Sequence, residues 1–428
     1  MTSTQTSQAA SVDLAHAYRL VRARTERLAA ALAPEDQVVQ SMPDCSPTKW
    51  HRAHVTWFFE TFVLRPFAQG YRPYDEDFAF LFNSYYEAAG PRHTRAERGK
   101  ITRPTVSEVA DYRRHVDTAM DELLAGRLDT EVADLVELGL HHEQQHQELV
   151  LMDIKHLFSL NPTAPAYLDP SDGGLALDTP RQASADPVTW VEFDGGIVDI
   201  GHHGDGFHYD NEGPAHQVLL PRYALADRLV TCGEWLEFIE DGGYETPAHW
   251  LSDGWHTVNN RGWRAPEYWY LVDGEWQLFT LSGLRPVDPA EPVAHLSYYE
   301  ADAFASWAGA RLPTESEWEA AAAHGDSAGV ADDLSRFHPK PVGDPNGRLR
   351  QFYDTLWQWT SSSYSPYPGF RAAPGAVGEY NGKFMVNTWV LRGGCVATPP
   401  GHVRPTYRNF FGPATRWHFS GVRLARDL

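Results

Sequence analysis

Two histidines stand four residues apart in the segment His142-Glu-Gln-Gln-His146. Residues at this spacing share one face of an α-helix, with their Cβ atoms roughly 5–6 Å apart. Two imidazoles placed in this way can bind one metal ion. The plainer interpretation is a chance spacing of two histidines that bind nothing, and the pair alone does not decide between the two.

A third ligand has to come from elsewhere, and an earlier helical segment offers His51 and His54. His54 shares a predicted helix face with Trp50 and Trp57, so it points into apolar surroundings. A buried imidazole without a partner is costly, which favours a metal or a firm hydrogen bond for His54. His51, on the face of Val55, is the competitor. Three neutral histidines suit iron(II) and zinc about equally, so the spacing does not choose the metal.

Four helical segments have to position these histidines. Apolar residues recur at the helical period from Val12 onward. The second helix is predicted to begin with Ser46 as its cap and Pro47 at its first position. The third and fourth are predicted at about 106–124 and 130–157. Four helices within residues 11–160 predict a four-helix bundle, and the long loop at about 65–105 is of a length that is often functional.

The composition changes after Asn161. Residues 161–187 are rich in Pro, Ala, Asp and Gly and are predicted to form a linker. Residues 188–428 carry short strand-like runs, with helices predicted at 298–307 and 315–323. Thr314 and Glu317 have the spacing of a capping box at the start of the latter helix. The sequence therefore predicts an α+β protein with a helical domain first and an irregular β domain second.

Composition excludes several classes of protein. The 428 residues carry a net charge of −21, which disfavours binding to nucleic acids or to anionic membranes. No apolar run approaches the ~20 residues of a membrane-spanning helix, and the N-terminus does not resemble a secretory signal. Three widely spaced cysteines form no disulfide framework and no zinc motif. A cytoplasmic protein with reduced thiols is expected.

Several longer motifs occur in order along nearly the whole chain: PTKWHRAHVTWFFE, HHEQQHQE, RLPTESEWEAAA, LWQWTSS, EYNGKFMVN, VLRGGC and YRNFFGPATRWHFSGVRLAR. In these the chain resembles the ergothioneine sulfoxide synthase family. The resemblance implies a DinB-like four-helix bundle followed by a domain of the formylglycine-generating-enzyme and C-type-lectin-like fold. It also implies a non-haem iron enzyme with Fe²⁺ as cofactor, whose three histidine ligands match His54, His142 and His146 and leave His51 as a neighbour.

The family resemblance also implies the substrates. Its members couple a thiol sulfur to the imidazole C2 of hercynine (Nα-trimethylhistidine), consume O2 and leave a sulfoxide. Gln145 matches a position that contacts the hercynine imidazole, and Asn409 matches one that contacts its carboxylate and ammonium end. The ring of Phe410 could pack against the trimethylammonium group in a cation–π contact. The plainer readings are a helix-surface amide for Gln145 and a turn residue for Asn409.

The expected thiol is L-cysteine. Members that use γ-glutamylcysteine carry an acidic residue and an arginine where this chain has Phe411 and Thr415. An apolar ring and a short hydroxyl cannot pair with the extra carboxylate and ammonium groups. Arg92 and Arg95 match loop positions associated with thiol binding, and Arg95 could clamp the cysteine carboxylate. A salt bridge to the acidic surface is the alternative for either arginine.

A proton donor is needed near the reacting oxygen, and a tyrosine suits this task. The cysteine-using subgroup employs tandem tyrosines, which match Tyr85 and Tyr86, and Tyr380 is the reserve. Adjacent tyrosines in an aromatic loop are often merely packing. Cys395 follows Arg-Gly-Gly without a downstream partner cysteine, so formylglycine-generating chemistry is not expected.

Other functions remain open. The same fold could use γ-glutamylcysteine, or join selenium from a selenosugar to hercynine. A zinc-dependent DinB-like hydrolase and a non-catalytic, lectin-like binding module are candidates of different classes. The sequence does not indicate an oligomeric state.

Overall fold

The computed structural model describes residues 2–168, 186–325, 334, 336–343, 349–373 and 376–428, and the side chains of 2–13 and 376–377 are outside this description. Most of the predicted linker, residues 161–187, therefore lies outside the described residues. The chain forms two units: one comprises Met1–Asn161 with Pro374–Tyr380, and the other comprises Pro162–Ala373 with Asn381–Leu428.

The first unit is built on four long helices: α1 (Thr2–Ala30), α2 (Thr48–Phe59), α3 (Val106–Leu124) and α4 (Thr130–Ser159). Helix α1 packs on α3 and α4, and α2 packs on the same two helices. This is the predicted bundle. Short pieces fill the connections: a π-turn at Glu60–Leu64 and helical turns at Arg65–Phe67, Phe78–Leu81, Glu87–Ala89 and Arg95–Lys100.

The start of α2 differs from the sequence prediction. The helix begins at Thr48, and Pro47 takes the cap position with extended backbone angles. Ser46 is therefore not the cap. Its backbone N–H donates instead to Asp153 on α4, at 2.7 Å, so tertiary contact rather than local capping fixes the entry to this helix. Helix α1 also begins earlier than predicted, at Thr2, since no Gly or Pro interrupts the segment before Val12.

A buried ion cluster joins three of the helices. Glu143 on α4 accepts from Arg22 at 2.9 Å, from Arg113 at 3.1 Å and from the hydroxyl of Thr25 at 2.6 Å. Burial raises the pKa of the Glu143 carboxyl, but Arg22 and Arg113 outweigh it and lower the pKa to about 2. A charged, fully paired glutamate thus fixes α1 and α3 against the segment of α4 that carries the two histidines.

Gly139 allows α2 to lie close against α4. A Cβ atom at this position would stand 2.5 Å from Cε1 of Phe59 and 2.9 Å from Cε1 of Phe58. Both rings are fully buried and belong to α2, so neither can swing away cheaply. Because His142 lies less than one helical turn further along α4, the same close approach brings α2 to His142.

Gly139→Ala is expected to destabilise the protein. Overpacking of this kind costs about 1–3 kcal/mol, which should exceed the gain of up to ~1 kcal/mol from replacing a helical glycine by alanine. Chemical denaturation of both proteins measures the difference. Gly126→Ala is the control, since its Cβ would meet only the carbonyl oxygen of Leu123, at 3.3 Å. A Gly139→Ala protein as stable as the Gly126→Ala control would contradict this account of the helix packing.

The second unit contains twelve short strands in four sheets, within the described residues. The sheets are β1 (Trp190–Phe193), β4 (Tyr223–Ala226) and β12 (Ala425–Asp427); β2 (Gly196–Ile200) and β3 (His216–Leu220); β5 (Trp269–Val272), β6 (Glu275–Thr280) and β7 (Gly283–Pro286); and β8 (Trp357–Ser363), β9 (Trp389–Arg392), β10 (Asn409–Phe411) and β11 (Ser420–Gly421). Pairing is antiparallel except between β8 and β11. A core cluster around Trp318, Phe352 and Tyr223 packs beside β4.

Four α-helices accompany these strands in the part of the unit that the structure describes: α5 (Cys232–Glu240), α6 (Ser252–Arg261), α7 (Tyr298–Trp307) and α8 (Glu315–Ala321). The predicted helix at 298–307 is confirmed. The helix predicted at 315–323 ends at Ala321 and continues as a 3-10 turn, and its Thr314–Glu317 capping box is confirmed. Sequence reasoning missed α5 and α6. Of the helices in the described part of the chain, none has the length and apolar character that crossing a membrane requires.

Candidate metal centre

Three histidines converge inside the first unit. His54 comes from α2, and His142 and His146 come from successive turns of α4. One ring nitrogen from each lies within 4.8 Å of the corresponding nitrogen of the other two. The structure therefore brings together the three residues that the sequence singled out as ligands. Among the His, Cys, Asp and Glu side chains of the described residues, these three histidines have a geometry that suits a metal ion.

The ring of His54 is fixed from three directions. Its Nδ1 lies 2.6 Å from the carbonyl oxygen of Phe82, which can only accept, so Nδ1 carries the proton and Nε2 has the lone pair. Trp50 stacks on the ring at 4.6 Å between centroids and Trp57 at 5.5 Å. These residues stand four before and three after His54, so the helical period itself produces the sandwich.

His142 is buried against aromatic rings. Phe58 lies 4.8 Å from it and Tyr380 meets it edge-on at 5.7 Å. Its Nε2 stands 3.1 Å from Nε2 of His54, and its Nδ1 has no hydrogen-bond partner among the described residues. If Nδ1 carries the proton, two lone pairs face each other across 3.1 Å, an arrangement that a cation between them would stabilise.

His51, the rival candidate for third ligand, faces away from this point. Its Nδ1 lies 2.8 Å from Nδ1 of His146, and its Nε2 lies 3.0 Å from Oδ2 of Asp153. Both of its ring nitrogens are therefore engaged by α4. His51 contacts one member of the cluster and is not a member itself.

Burial keeps the three imidazoles neutral. It lowers the pKa of His142 to about 3. Burial, followed by the neighbouring histidines, lowers the pKa values of His54 and His146 well below the ordinary value. An unprotonated imidazole is the form that binds a metal, so all three side chains are in the form that can bind a metal ion at neutral pH.

The cluster fits a first-row transition metal. Two nitrogens that bind one ion at about 2.1 Å, with an angle of roughly 90–110° between them, are about 3.0–3.4 Å apart. The observed 3.1 Å between Nε2 of His54 and Nε2 of His142 falls in this range. Three neutral nitrogen donors leave further coordination positions for substrates, as in catalytic rather than structural sites.

The segment 142–146 also has the H-E-x-x-H spacing of zinc peptidases, in which the glutamate is the general base. The carboxylate of Glu143 is instead turned into the bundle and held by Arg22 and Arg113. It is fully buried and unavailable to a metal-bound water. The geometry therefore disfavours peptidase chemistry.

Three tyrosines contact one another beside the histidine cluster, and Tyr380 is the one that meets His142. The hydroxyl of Tyr380 donates to Oε1 of Gln145, and its ring meets that of Tyr85 at 6.3 Å. Tyr85 stacks on Tyr86 at 4.6 Å. All three candidate proton donors thus belong to the first unit, including Tyr380, whose place in the sequence lies far along the chain.

The segment before Tyr380 is hydrogen-bonded to the helical turn Glu87–Ala89, which directly follows Tyr85 and Tyr86. The carboxylate of Glu379 accepts from the backbone N–H groups of Glu87 and Ala88, at 3.0 and 2.9 Å. Tyr86 is buried, whereas Tyr85 is half-buried. Tyr86 lies 5.6 Å from Trp57 and 5.3 Å from Phe62 between ring centroids. Packing therefore fixes the ring of Tyr86, and Tyr85 is the more accessible of the pair.

Arg92 and Arg95 are exposed and contact groups within their own part of the unit. Arg92 forms an ion pair with Glu87 at 2.7 Å, the alternative anticipated for it. Arg95 donates to the carbonyl oxygen of Asp44. A guanidinium has five N–H donors, so this contact occupies only a fraction of the capacity of Arg95.

The remaining candidates lie in the second unit. Asn409 begins β10 rather than a turn, and its side chain accepts from the N–H of Phe410 at 2.9 Å. Phe410 stacks on Tyr364 at 4.1 Å. Phe411 packs on the buried ring of His418 at 4.3 Å, and Thr415 closes a turn onto Gly412. Asn409, Phe410, Phe411 and Thr415 are all half-buried.

All three cysteines are buried, and none forms a disulfide. The sulfur of Cys395 accepts from the hydroxyl of Thr398 at 3.4 Å. Burial raises the pKa of the Cys45 and Cys232 thiols. A protonated, buried thiol is a poor nucleophile, which agrees with a structural use of both residues.

Sequence reasoning missed three contributors to the site. Gly139 and the carbonyl oxygen of Phe82 left no signal in the residue pattern. Asp153 could have been found, because it stands seven residues after His146, two turns further along the same face of α4.

Comparison with known proteins agrees with this architecture. Residues 17–150 match the family model of the DinB superfamily, and residues 178–340 and 345–428 match that of the sulfatase-modifying factor enzyme 1-like domain. These two matches define a two-domain protein in which a DinB bundle that carries the three-histidine cluster is joined to a domain of the sulfatase-modifying factor type. The predicted α+β fold class, a DinB-like bundle followed by a formylglycine-generating-enzyme-like domain, is confirmed.

Curated relatives define the family more closely. The chain is 32% identical to the hercynine oxygenase of Mycolicibacterium smegmatis, over 97% of this chain and 99% of the relative. It is 32% identical to the hercynine oxygenase of Mycobacterium tuberculosis, over 95% and 97%. It is 31% identical to the formylglycine-generating enzyme of Thermomonospora curvata, over 50% of this chain and 74% of that one. The chain belongs to the ergothioneine sulfoxide synthase family.

His142→Ala should abolish stoichiometric binding of Fe(II) or Co(II), because it removes a direct ligand. The loss in affinity should exceed the ~10–100-fold that follows from losing a group that merely supports a ligand. Anaerobic titration with a competing chelator measures it. His141→Ala, at the neighbouring half-buried position, is the control and should bind one metal ion as tightly as the unaltered protein. Equal binding by the His142→Ala protein would refute the assignment of the centre.

Proposed function

We propose that the protein is an iron(II)- and O2-dependent sulfoxide synthase that joins the sulfur of L-cysteine to imidazole C2 of hercynine. The observation that carries the proposal is the cluster of His54, His142 and His146, two buried imidazoles and one half-buried imidazole with nitrogens within 4.8 Å of one another. It occurs in a chain that is similar along almost its whole length to hercynine oxygenases. Such a donor set with open positions suits non-haem iron(II).

The reaction balances without another co-reactant. The C2–H bond of hercynine and the S–H bond of cysteine break, a C–S bond forms, and one atom of O2 is placed on sulfur. The second oxygen atom leaves as water with the two hydrogens. Iron(II) bound by the three histidines would supply electron transfer to O2 and coordination positions for the reacting groups. The protein has to orient the two organic substrates and deliver protons.

Gln145 is suited to orient the hercynine imidazole. It directly precedes His146 on α4, and its carbonyl oxygen is already held by the hydroxyl of Tyr380. The amide N–H₂ is the donating end of this side chain, and it is the group that would donate to a substrate ring nitrogen. Asn409 and Phe410 are proposed to bind the carboxylate and trimethylammonium end of hercynine.

Tyr85 and Tyr86 are the proposed proton donors. Their stacked rings lie beside Tyr380, which in turn meets His142 edge-on. A phenol can donate a proton to a developing oxygen anion and can be reprotonated from solvent. The half-buried position of Tyr85 favours it for the exchange with solvent, and Tyr380 remains the reserve.

L-cysteine is proposed as the thiol. Phe411, against the ring of His418, and Thr415, in a turn, present no charge that would pair with the γ-glutamyl arm. The remaining donors of Arg95 can receive the cysteine carboxylate. Arg92 is proposed as a second contact, and it would have to exchange its exposed ion pair with Glu87, which costs little.

The decisive experiment offers the iron(II)-loaded protein hercynine with equal amounts of cysteine and γ-glutamylcysteine. After O2 is admitted, mass spectrometry identifies the products. A hercynyl-cysteine sulfoxide supports both the reaction and the thiol. A γ-glutamyl adduct keeps the reaction and refutes the thiol. The absence of both sulfoxides, in a protein that holds iron, refutes the function and leads to the selenosugar assay; zinc in the purified protein favours a hydrolase.

Phe411→Asp combined with Thr415→Arg should raise the preference for γ-glutamylcysteine over cysteine at least about tenfold, measured as the ratio of the two kcat/KM values. The reason is that charge-assisted hydrogen bonds contribute about 1.5–3 kcal/mol each. The matched control, Phe411→Asn with Thr415→Gln, is polar without charge and should change the ratio far less. An unchanged ratio in a charged variant that still folds would show that selectivity resides elsewhere.

A further inference from the structure

We infer that Asp153 and His51 form a hydrogen-bonded relay that fixes the tautomer and ring orientation of His146. The inference rests on the metal site proposed above and assigns two further positioning residues to it. His51 is the central member: Nδ1 faces His146 at 2.8 Å and Nε2 faces Oδ2 of Asp153 at 3.0 Å. His51 and Asp153 are 3% and 6% exposed, so solvent does not compete for the contact between them, whereas His146 is half-buried.

The direction of the relay follows from Asp153. Its Oδ2 accepts from the backbone N–H of Ser46 at 2.7 Å and also faces Nε2 of His51. A carboxylate only accepts, so Nε2 of His51 carries the proton. In a neutral imidazole the other nitrogen then has the lone pair, and Nδ1 of His51 is an acceptor.

The same logic passes to His146. Two ring nitrogens 2.8 Å apart require one donor and one acceptor, so Nδ1 of His146 donates to Nδ1 of His51. This leaves Nε2 of His146 with the lone pair and free of a proton. His54 reaches the same state by a shorter route, since its Nδ1 donates to the carbonyl oxygen of Phe82.

The helices place the three groups in register. His146 and Asp153 are seven residues apart on α4 and face the same side, and His51 on α2 lies between them. His51 is three residues before His54, so α2 presents one histidine to the metal cluster and another to the support of His146. Partners that orient a ligating histidine typically contribute 10–100-fold to metal affinity.

The test is Co(II) and Fe(II) affinity of the full-length protein, measured anaerobically with a competing chelator and by the Co(II) d–d absorption spectrum. His51→Leu removes both hydrogen bonds and should weaken binding about 10–100-fold while keeping one ion per chain. His51→Gln provides an acceptor for His146 and a donor for Asp153, and should restore most of the affinity and the spectrum. His156→Leu is the control. His156 lies on α4, as His146 does, and the variant removes the hydrogen bond between Nδ1 of His156 and the hydroxyl of Ser41. This variant should leave the metal affinity and the spectrum unchanged.

Two outcomes overturn the relay. If the His51→Leu protein binds as tightly as the unaltered chain, His51 does not support His146. If both His51 variants lose stoichiometric binding as a direct-ligand variant does, His51 is itself a ligand. Should the leucine variant fail to fold, Asp153→Leu carries the test: it removes the acceptor that fixes the proton of His51, and unchanged affinity there refutes the relay. An unaltered protein that binds neither ion refutes the proposed metal site instead.

Discussion

The site depends on one constraint: three imidazoles have to be buried without charge and with their lone pairs directed at one point. Burial lowers the pKa of each, so protonation does not compete with a metal at neutral pH. A neutral imidazole, however, has one nitrogen that donates and one that accepts, and only hydrogen bonding decides which. The protein therefore has to supply, besides the ligands on α2 and α4, the groups that fix the tautomers of those ligands.

The rest of the first unit serves this requirement. Gly139 lets α2 approach α4 closely enough for Nε2 of His54 to stand 3.1 Å from Nε2 of His142. Glu143, paired with Arg22 and Arg113, fixes the turn of α4 that lies between the two histidines. The loop after α2 contributes a carbonyl oxygen at Phe82 and the tyrosine pair that follows it. Packing, ion pairing and backbone geometry thus converge on the same few side chains.

The choice of His54 as the third clustered histidine rested on the family resemblance. The helical period, a local property, predicted the helices of the bundle and placed His142 and His146 on one helix face. It left His51 as a rival to His54, since both stand on a helix of mostly apolar residues and only the facing helix distinguishes them. Asp153 and Gly139 act across the interface between α2 and α4. The contacts of Glu379 and Tyr380 join segments almost 300 residues apart: Glu379 accepts from the backbone of Glu87, and Tyr380 meets Tyr85. Spacing along the chain carries no information on such contacts.

In the second unit the sequence predicted the type of fold better than its elements. Helices α5 and α6 are short, and both were missed although α5 carries local signals. Trp235, Leu236 and Ile239 follow the helical period, and Thr231 and Glu234 form a capping box at its start. Strands of two to seven residues, separated by Gly and Pro, leave equally weak patterns. Asn409 lies at the start of a strand because β9 pairs with it, a nonlocal cause.

The central claim is that His54, His142 and His146 bind one iron(II) ion while His51 stays outside its coordination sphere. A crystal structure of the protein loaded anaerobically with iron(II) tests it most directly. We expect a single ion bonded to one nitrogen of each of the three, Nε2 in every case, with Nδ1 of His51 still hydrogen-bonded to Nδ1 of His146. An ion bonded to His51, or one bonded through Nδ1 of His146, would contradict it.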